Sequence, residues 1–266
     1  MTTATLDRSR TVQPGFLDAL RAERIKLLSV RSTWWTLFAL VVIGVGGTVL
    51  LCALNAEWLA SPEADEAPGS FITGGLMLSP VCAVVLGTLA VSSEYGTGMM
   101  RSTLAATPMR GRVLAAKAVV VAAILFVLGT VSALLGYVGG NYFLDREGIG
   151  LALEGDVARS MYGYGLFMAG LGLLSVAVAF ILRHTALALS LVLASIFVLN
   201  NLVLLIPGES GQWVTKLMPS NAGMVIATPV PFNPFLLDAW PSFGVFAGEV
   251  AALLLLAWLV LRRRDA

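Results

Sequence analysis

Six long runs of apolar residues constrain the fold of this chain more than any other feature of its sequence. An α-helix rises about 1.5 Å per residue, so about 20 apolar residues match the roughly 30 Å hydrocarbon layer of a bilayer. The chain is 58% hydrophobic and 12% charged. We predict an all-α membrane protein with six transmembrane helices. The predicted spans cover about Trp34 to Ala56, Phe71 to Val91, Val113 to Gly140, Ser160 to Leu182, Thr185 to Ile206 and Ser242 to Leu261.

The basic residues predict the orientation of these spans. Of the 17 Lys and Arg residues, fourteen precede the first span, follow the second or fourth span, or end the chain. The loop from Glu57 to Ser70 lies on the other side and has acidic residues but no Lys or Arg. Lys and Arg are enriched in cytoplasmic loops, so both termini are predicted to be cytoplasmic.

The region before the first span divides into two parts. Residues 1–15 are polar and are predicted to form a disordered tail. Residues 16–30 place leucines near helical spacing among Arg21, Arg24 and Lys26, as in an amphipathic helix that lies in the membrane surface. A solvated basic segment that only sets the topology is the alternative. We predict one membrane domain over residues 1–266, with residues 34–261 as the six-span bundle.

The polar stretch from Ser92 to Lys117 is the longest interruption on the basic side. Thr97 is suited to cap a short helix that runs to Thr107, because Pro108 disfavours continuation. Such a helix, exposed beyond two spans, would be a lever that a soluble partner can move. Arginines that serve only the topology are the alternative.

Several chemistries are excluded by missing residues. The only histidine is His184, so neither a Ser-His-Asp triad nor an H-E-x-x-H metal site is available. The sequence has no G-x-x-x-x-G-K-[ST] motif, so it cannot bind nucleotide through a P-loop. Cys52 and Cys82 lie in apolar runs and are interpreted as small hydrophobic residues. No catalytic residue, metal ligand, cofactor or nucleic-acid site is predicted.

Polar residues inside the predicted spans mark a possible transport pathway. These residues are Glu249 in span six and Asn200 and Asn201 in span five. Glu249 is interpreted as the only ionisable group within the spans. A proton-coupled carrier that uses Glu249 is therefore one alternative function, and a non-transporting scaffold or immunity protein is another. Small residues at Gly44, Thr48, Ser132, Gly136 and Gly140 are predicted to allow close helix packing.

Four segments resemble one known family, the permease subunit of type-2 ABC (ATP-binding cassette) exporters in the form common among actinobacteria. They are ERIKLLSVRSTWW at Glu23 to Trp35, EYGTGMMRSTLAATPMRGRVLAAK at Glu94 to Lys117, LMPSNAG at Leu217 to Gly223 and the final LRRRDA. The resemblance implies an N-terminal interfacial helix, a cytoplasmic coupling helix between spans two and three, and short re-entrant helices between spans five and six. It also implies a multi-pass protein of the bacterial cytoplasmic membrane.

The resemblance further implies the partners and the coupling residues. Two permease subunits, identical or related, would pair and bind separate P-loop ATPase subunits that carry the ATP. The apolar spans favour a hydrophobic or amphipathic substrate such as a drug, antibiotic or lipid. Glu94 and Arg101 are expected to make polar contacts with the ATPase. The apolar contact is expected from Met99, Met100 or Leu104. The residues that match the coupling loop are Glu94, Tyr95, Gly96, Thr97, Gly98 and Arg101, with Arg110 and Arg112 at its exit, and those of the interfacial helix are Arg24, Lys26 and Arg31.

Overall fold

The computed structural model describes residues 15–106, 109–203, 205–230, 233 and 235–263, with the backbone alone at 104 and 106. Residues 1–14 of the predicted N-terminal tail, Thr107, Pro108 and the C-terminal residues after Arg263 lie outside these ranges. Within them the secondary structure is helical. The α-helices are α1 Phe16–Ser29, α2 Arg31–Leu59, α3 Pro68–Gly74, α4 Pro80–Gly96, α5 Met99–Ala106, α6 Arg110–Arg146, α7 Gly155–Leu182, α8 Thr185–Leu193, α9 Asn200–Val203, α10 Gly208–Leu217, α11 Pro219–Met224 and α12 Ala239–Arg263.

Six helical segments are long and apolar enough to cross a membrane, which confirms the predicted fold class. They are Arg31–Leu59, Pro68–Gly96, Arg110–Arg146, Gly155–Leu182, Thr185–Val203 and Ala239–Arg263. The second segment combines α3, a 3₁₀ turn at Gly75–Leu78 and α4. The fifth combines α8, a π-helical segment at Ala194–Leu199 and α9, and it ends before the predicted Ile206.

The loop between spans three and four is shorter than predicted. We expected a polar loop from Asn141 to Arg159, but α6 continues to Arg146 and α7 begins at Gly155. The side-chain oxygen of Asn141 accepts a hydrogen bond from the Leu151 amide at 2.7 Å, and the Tyr137 hydroxyl donates to the Leu151 carbonyl at 2.6 Å. These bonds fold the short loop back onto α6, so polar residues near its end remain helical.

Small residues bring the helices close together, as the sequence predicted. A Cβ atom at Gly136 of α6 would lie 3.2 Å from the Cβ of Thr48 in α2. One at Gly140 would lie 2.9 Å from the buried thiol of Cys52. The closest approach joins α2 to the 3₁₀ turn, where a Cβ at Gly75 would lie only 1.9 Å from the backbone nitrogen of Thr48. Any side chain at Gly75 would therefore force two backbones apart.

Helix α7 is the centre of the bundle. It contacts α4, α6 and α12 and buries Tyr164, Phe167 and Phe180. Helices α2 and α12 and the fifth span lie at the periphery and expose many apolar side chains. A span surrounded by lipid can expose such side chains without cost, since hydrocarbon chains are as apolar as leucine.

The two ends of the bundle carry different short elements. At one end, called the basic end below, α1 and α5 contact α6, whose first turn lies beside the last turn of α12. The Arg110 guanidinium donates a hydrogen bond to the Leu261 carbonyl at 2.7 Å and so joins the start of α6 to the end of α12. At the opposite end, α10, α11 and a 3₁₀ turn at Val225–Ala227 form the short helices predicted between spans five and six.

Candidate coupling site at the basic end

Two glutamates and two lysines from three helices form a buried charge network at the basic end. Glu23 and Lys26 lie on α1, Glu94 in the last turn of α4 and Lys117 near the start of α6. Lys117 Nζ lies 2.5 Å from Glu23 Oε2 and 2.8 Å from Glu94 Oε1. Lys26 Nζ lies 2.9 Å from Glu23 Oε1 and 3.1 Å from Glu94 Oε1. Each ammonium group thus binds both carboxylates, and the network is electrically neutral.

The network is largely removed from solvent. The exposed fractions are 6% for Glu23, 2% for Glu94 and 3% for Lys117. Burial would lower the pKa of the Lys26 ammonium, but the hydrogen bond and charge of Glu23, together with those of Glu94, raise it above its ordinary value. Removing one partner of a buried ion pair strongly destabilises the protein, because the remaining charge is left uncompensated. The four residues therefore act together to fix the position of α1 against the bundle.

Helix α5 is attached to the same network. Lys26 Nζ donates a hydrogen bond to the Thr103 hydroxyl at 3.1 Å. Met100 is 1% exposed and packs in the main core, whereas Met99 and Arg101 face outwards. One side of α5 is thus held by α1 and the core, and the other side is available to a partner.

Three predictions for the coupling residues need correction. Glu94 does not present its carboxylate on the surface, because Lys26 and Lys117 hold it inside the protein. Met100 is buried and cannot be the apolar contact with a partner. Thr97 does not cap α5: its hydroxyl donates to the Ser93 carbonyl in α4, and α5 begins at Met99 after Gly98, whose φ is +72°.

The remaining residues of the predicted site lie at the basic end in several roles. Tyr95 packs edge to face on Phe180, and the Arg183 guanidinium lies 5.2 Å from the centre of its ring. Arg183, with φ 55°, ends α7, so Tyr95 supports the turn between spans four and five. His184 caps α8 by accepting a hydrogen bond from the Leu187 amide, consistent with an ordinary role at the interface.

The interfacial and exit residues differ in exposure. Arg24 and Arg31 are exposed, Lys26 is partly buried in the network, and Arg110 and Arg112 are partly buried at the start of α6. Gly96 and Gly98 are exposed, and Leu104 lies where the structure describes only the backbone. The structure therefore leaves Met99 and Arg101 as the predicted coupling residues that protrude from α5.

Glu23 and Lys117 were not predicted as site residues. Lys117 also contradicts the expectation that Glu249 is the only ionisable group within the spans, because it lies in α6 with apolar residues on both sides. A lysine at such a position needs an acidic partner, and this signal could have led to Glu94. Glu23 belongs to a surface helix, and its sequence context gives no comparable signal.

The predicted pathway residues lie away from the coupling site. Asn200 and Asn201 line a cavity beside α11, and the Asn201 amide also donates to the Phe197 carbonyl at 2.6 Å. Glu249 lies on α12 and is partly buried. Its Oε2 atom is buried and has no hydrogen-bond partner among the described residues. The structure does not bring Glu249 into the cavity lined by the two asparagines.

The fold and the network define a multi-pass helical membrane protein whose surface helices are tied to its spans. A family model described as "ABC-2 family transporter protein" matches residues 19–201, which is more than half of the chain. The chain belongs to this family and is a type-2 ABC permease, a membrane transport subunit. The matched region contains α1 from Ala19 onwards, the whole charge network and α5. A comparison with curated proteins finds no matching relative.

Proposed function

We propose that this chain is the membrane-spanning subunit of an ATP-driven exporter and that a separately encoded P-loop ATPase drives it. The observation that carries the proposal is the buried network of Glu23, Lys26, Glu94 and Lys117, which joins α1, α4 and α6 and binds α5 through Thr103. A partner that moves α5 would also move α1 and the spans attached to it. Family membership supports a partner ATPase in general.

The coupling step follows from the exposure of α5. Met99 is 41% exposed and Arg101 is also exposed, so α5 presents one apolar and one cationic group. ATP-driven closure of the ATPase would push this surface. Because three of the four network charges are buried and all four are paired, separating them is costly, and α1, α5 and the adjoining span ends would move as one unit.

The same proposal includes an orientation and further partners. The basic end would face the cytoplasm of a bacterial cell, in agreement with the excess of Lys and Arg there. A second permease subunit, identical or related, would complete the pathway. The chain would carry no cofactor and no ATPase activity of its own, and the substrate would be hydrophobic or amphipathic.

Charge and polarity reversal on α5 tests the coupling step. The double variant Met99→Asp/Arg101→Glu is expected to fold normally, since both side chains are exposed, and to lower ATPase association by at least about tenfold, the factor that 1.4 kcal/mol represents. Pull-down in mild detergent and ATP-dependent transport in vesicles measure the loss. Arg146→Glu, which reverses an exposed charge at the opposite end, serves as the matched control. Full association and transport by the double variant would contradict the proposal.

A proton-coupled carrier is the second candidate function, because Glu249 has a buried carboxylate oxygen with no partner among the described residues. In that case Glu249→Gln would abolish transport, and transport would continue after ATP depletion while a proton gradient persisted. The exporter proposal expects the opposite result in both experiments.

A further inference from the structure

A cavity of about 350 Å³ lies near the opposite end of the bundle, away from the charge network. It is open on one side and is bordered by α3, the 3₁₀ turn at Gly75–Leu78, the π-helical segment at Ala194–Leu199, α9 and α11, with α7 behind it. Its volume is at the lower end of the roughly 300–1,000 Å³ range of small-molecule sites.

The lining combines an apolar body with a few uncharged polar groups. Met77, Phe167, Phe197 and Met224 are among the apolar side chains, and hydroxyl and amide groups make up the polar part. None of the described residues that line the cavity is charged. A charged ligand would therefore lose its hydration without gaining an opposite charge.

Two residues of the lining each contain a polar atom that has no hydrogen-bond partner in the described part of the chain. These atoms are Asn200 Oδ1 and Ser220 Oγ, and both are buried. Ser220 is only 8% exposed as a whole residue. Buried polar groups are nearly always hydrogen-bonded in folded proteins. Neither atom has accessible surface in this structure, so a ligand would complete their bonding only after the Asn200 and Ser220 side chains rotate towards the cavity. The amide oxygen can only accept a hydrogen bond, and the hydroxyl can donate or accept.

Hydrogen bonds fix the backbone segments that form the walls of the cavity. Tyr164 and Ser79 are hydrogen-bonded to each other, and the Tyr164 hydroxyl also donates to the Leu76 carbonyl at 3.1 Å, which holds the 3₁₀ turn. On the α11 side, the Asn221 amide donates to the Thr215 carbonyl at 3.0 Å. Asn200 directly follows the π-helical segment, a type of helix distortion that occurs frequently at functional sites.

We propose that this cavity binds an uncharged amphipathic molecule that carries a hydrogen-bond donor. Its apolar body would lie against Phe167, Phe197 and Met224, and its hydroxyl or amide N–H group would bind Asn200 Oδ1 and Ser220 Oγ once these two side chains rotate towards the cavity. The inference rests on the proposed export function, because the bound molecule would be the exported substrate. Binding of the molecule to the cavity needs no ATP.

Photolabelling with three matched probes tests the proposal. The probes share one benzophenone body: 4-(hydroxymethyl)benzophenone is neutral, 4-benzoylbenzoate is an anion and (4-benzoylbenzyl)trimethylammonium is a cation. The full chain in membrane vesicles, together with its ATPase subunit and without nucleotide, is irradiated with each probe. Mass spectrometry of the peptide that contains Met224 measures the labelling. The neutral probe is expected to label this peptide saturably, and at least about tenfold more than either charged probe, as a 1.4 kcal/mol difference gives.

Substitutions in the lining test the two polar contacts. Ser220→Ala and Asn200→Leu should each reduce saturable labelling by at least about threefold, a modest factor for one hydrogen bond to a neutral group. Ser195→Ala is the matched control, because the Ser195 hydroxyl already donates to the Val192 carbonyl at 2.7 Å and does not line the cavity. A thermal melt of each variant confirms that it is folded.

Two results would overturn the inference. One is equal labelling of the Met224 peptide by the neutral and charged probes, and the other is neutral labelling that persists unchanged in folded Ser220→Ala and Asn200→Leu variants. The Met99→Asp/Arg101→Glu variant separates this inference from the coupling proposal, because it should lose ATPase association and keep the labelling.

Discussion

Lys117→Met is expected to lower the free energy of unfolding by about 3–5 kcal/mol, the cost of breaking a buried ion pair from one side. The substitution removes an ammonium group that is 3% exposed and binds both Glu23 and Glu94. Two carboxylates would then share the site with Lys26 alone. Since the network holds α1 against α4 and α6, the loss should also weaken the ATP-driven transport that we propose.

Unfolding by SDS titration in mixed micelles measures the effect of Lys117→Met. Arg24→Met is the matched control, because Arg24 is an exposed cation on α1 outside the network. Adding Glu94→Gln to Lys117→Met should recover part of the lost stability, because Glu23 and Lys26 remain as a neutral pair at 2.9 Å. An unfolding curve for Lys117→Met that coincides with that of the unmodified protein would refute the role assigned to the network.

Gly75→Ala is expected to separate α2 from the second span. Overpacking typically costs about 1–3 kcal/mol, and we expect the protein to lose more stability than that. The new Cβ would lie 1.9 Å from the Thr48 nitrogen and 2.1 Å from the Gly47 carbonyl carbon. Backbone atoms cannot rotate out of the way as a flexible side chain can. The helices would have to move, and the contacts of α2 with α6 would be lost with them.

The reactivity of Cys52 reports this separation directly. Its side chain is fully buried on α2, beside Gly140 and Ile72. In Gly75→Ala, N-ethylmaleimide should modify Cys52 much faster than in the unmodified protein, and the thermal midpoint should fall. Gly46→Ala is the matched control, because a Cβ at Gly46 meets nothing within 4 Å. Unchanged Cys52 reactivity in Gly75→Ala would show that the close contact between the two backbones is not required.

Local patterns explain which parts of the fold were predictable. Each span is a continuous apolar run, and α1 has helical spacing of its apolar residues next to basic ones, so both follow from nearby residues alone. The end of a span is less predictable. Asn141 looked like the start of a loop, but a hydrogen bond to the Leu151 amide lets α6 continue past it to Arg146.

The candidate coupling site was predictable only in its location. The polar stretch from Ser92 to Lys117 indicated the end of the bundle where α1, α5 and the charge network lie, and Met99 and Arg101 are exposed there as expected. Exposure of Glu94 was predicted wrongly, because its partner Lys26 is 68 residues away in sequence. The cavity beside α11 likewise joins residues from spans two, four and five, and no short pattern records that arrangement.

The sequence by itself determined that this protein crosses a membrane six times and carries its basic residues mostly on one side, because hydropathy and charge act residue by residue. Only the tertiary structure decided which charges are neutralised and buried and which face a partner. That division depends on helices packed side by side, where Glu23 and Lys117 meet across 94 residues of sequence. It changed Glu94 from an expected surface contact into part of the buried connection between α1, α4 and α6.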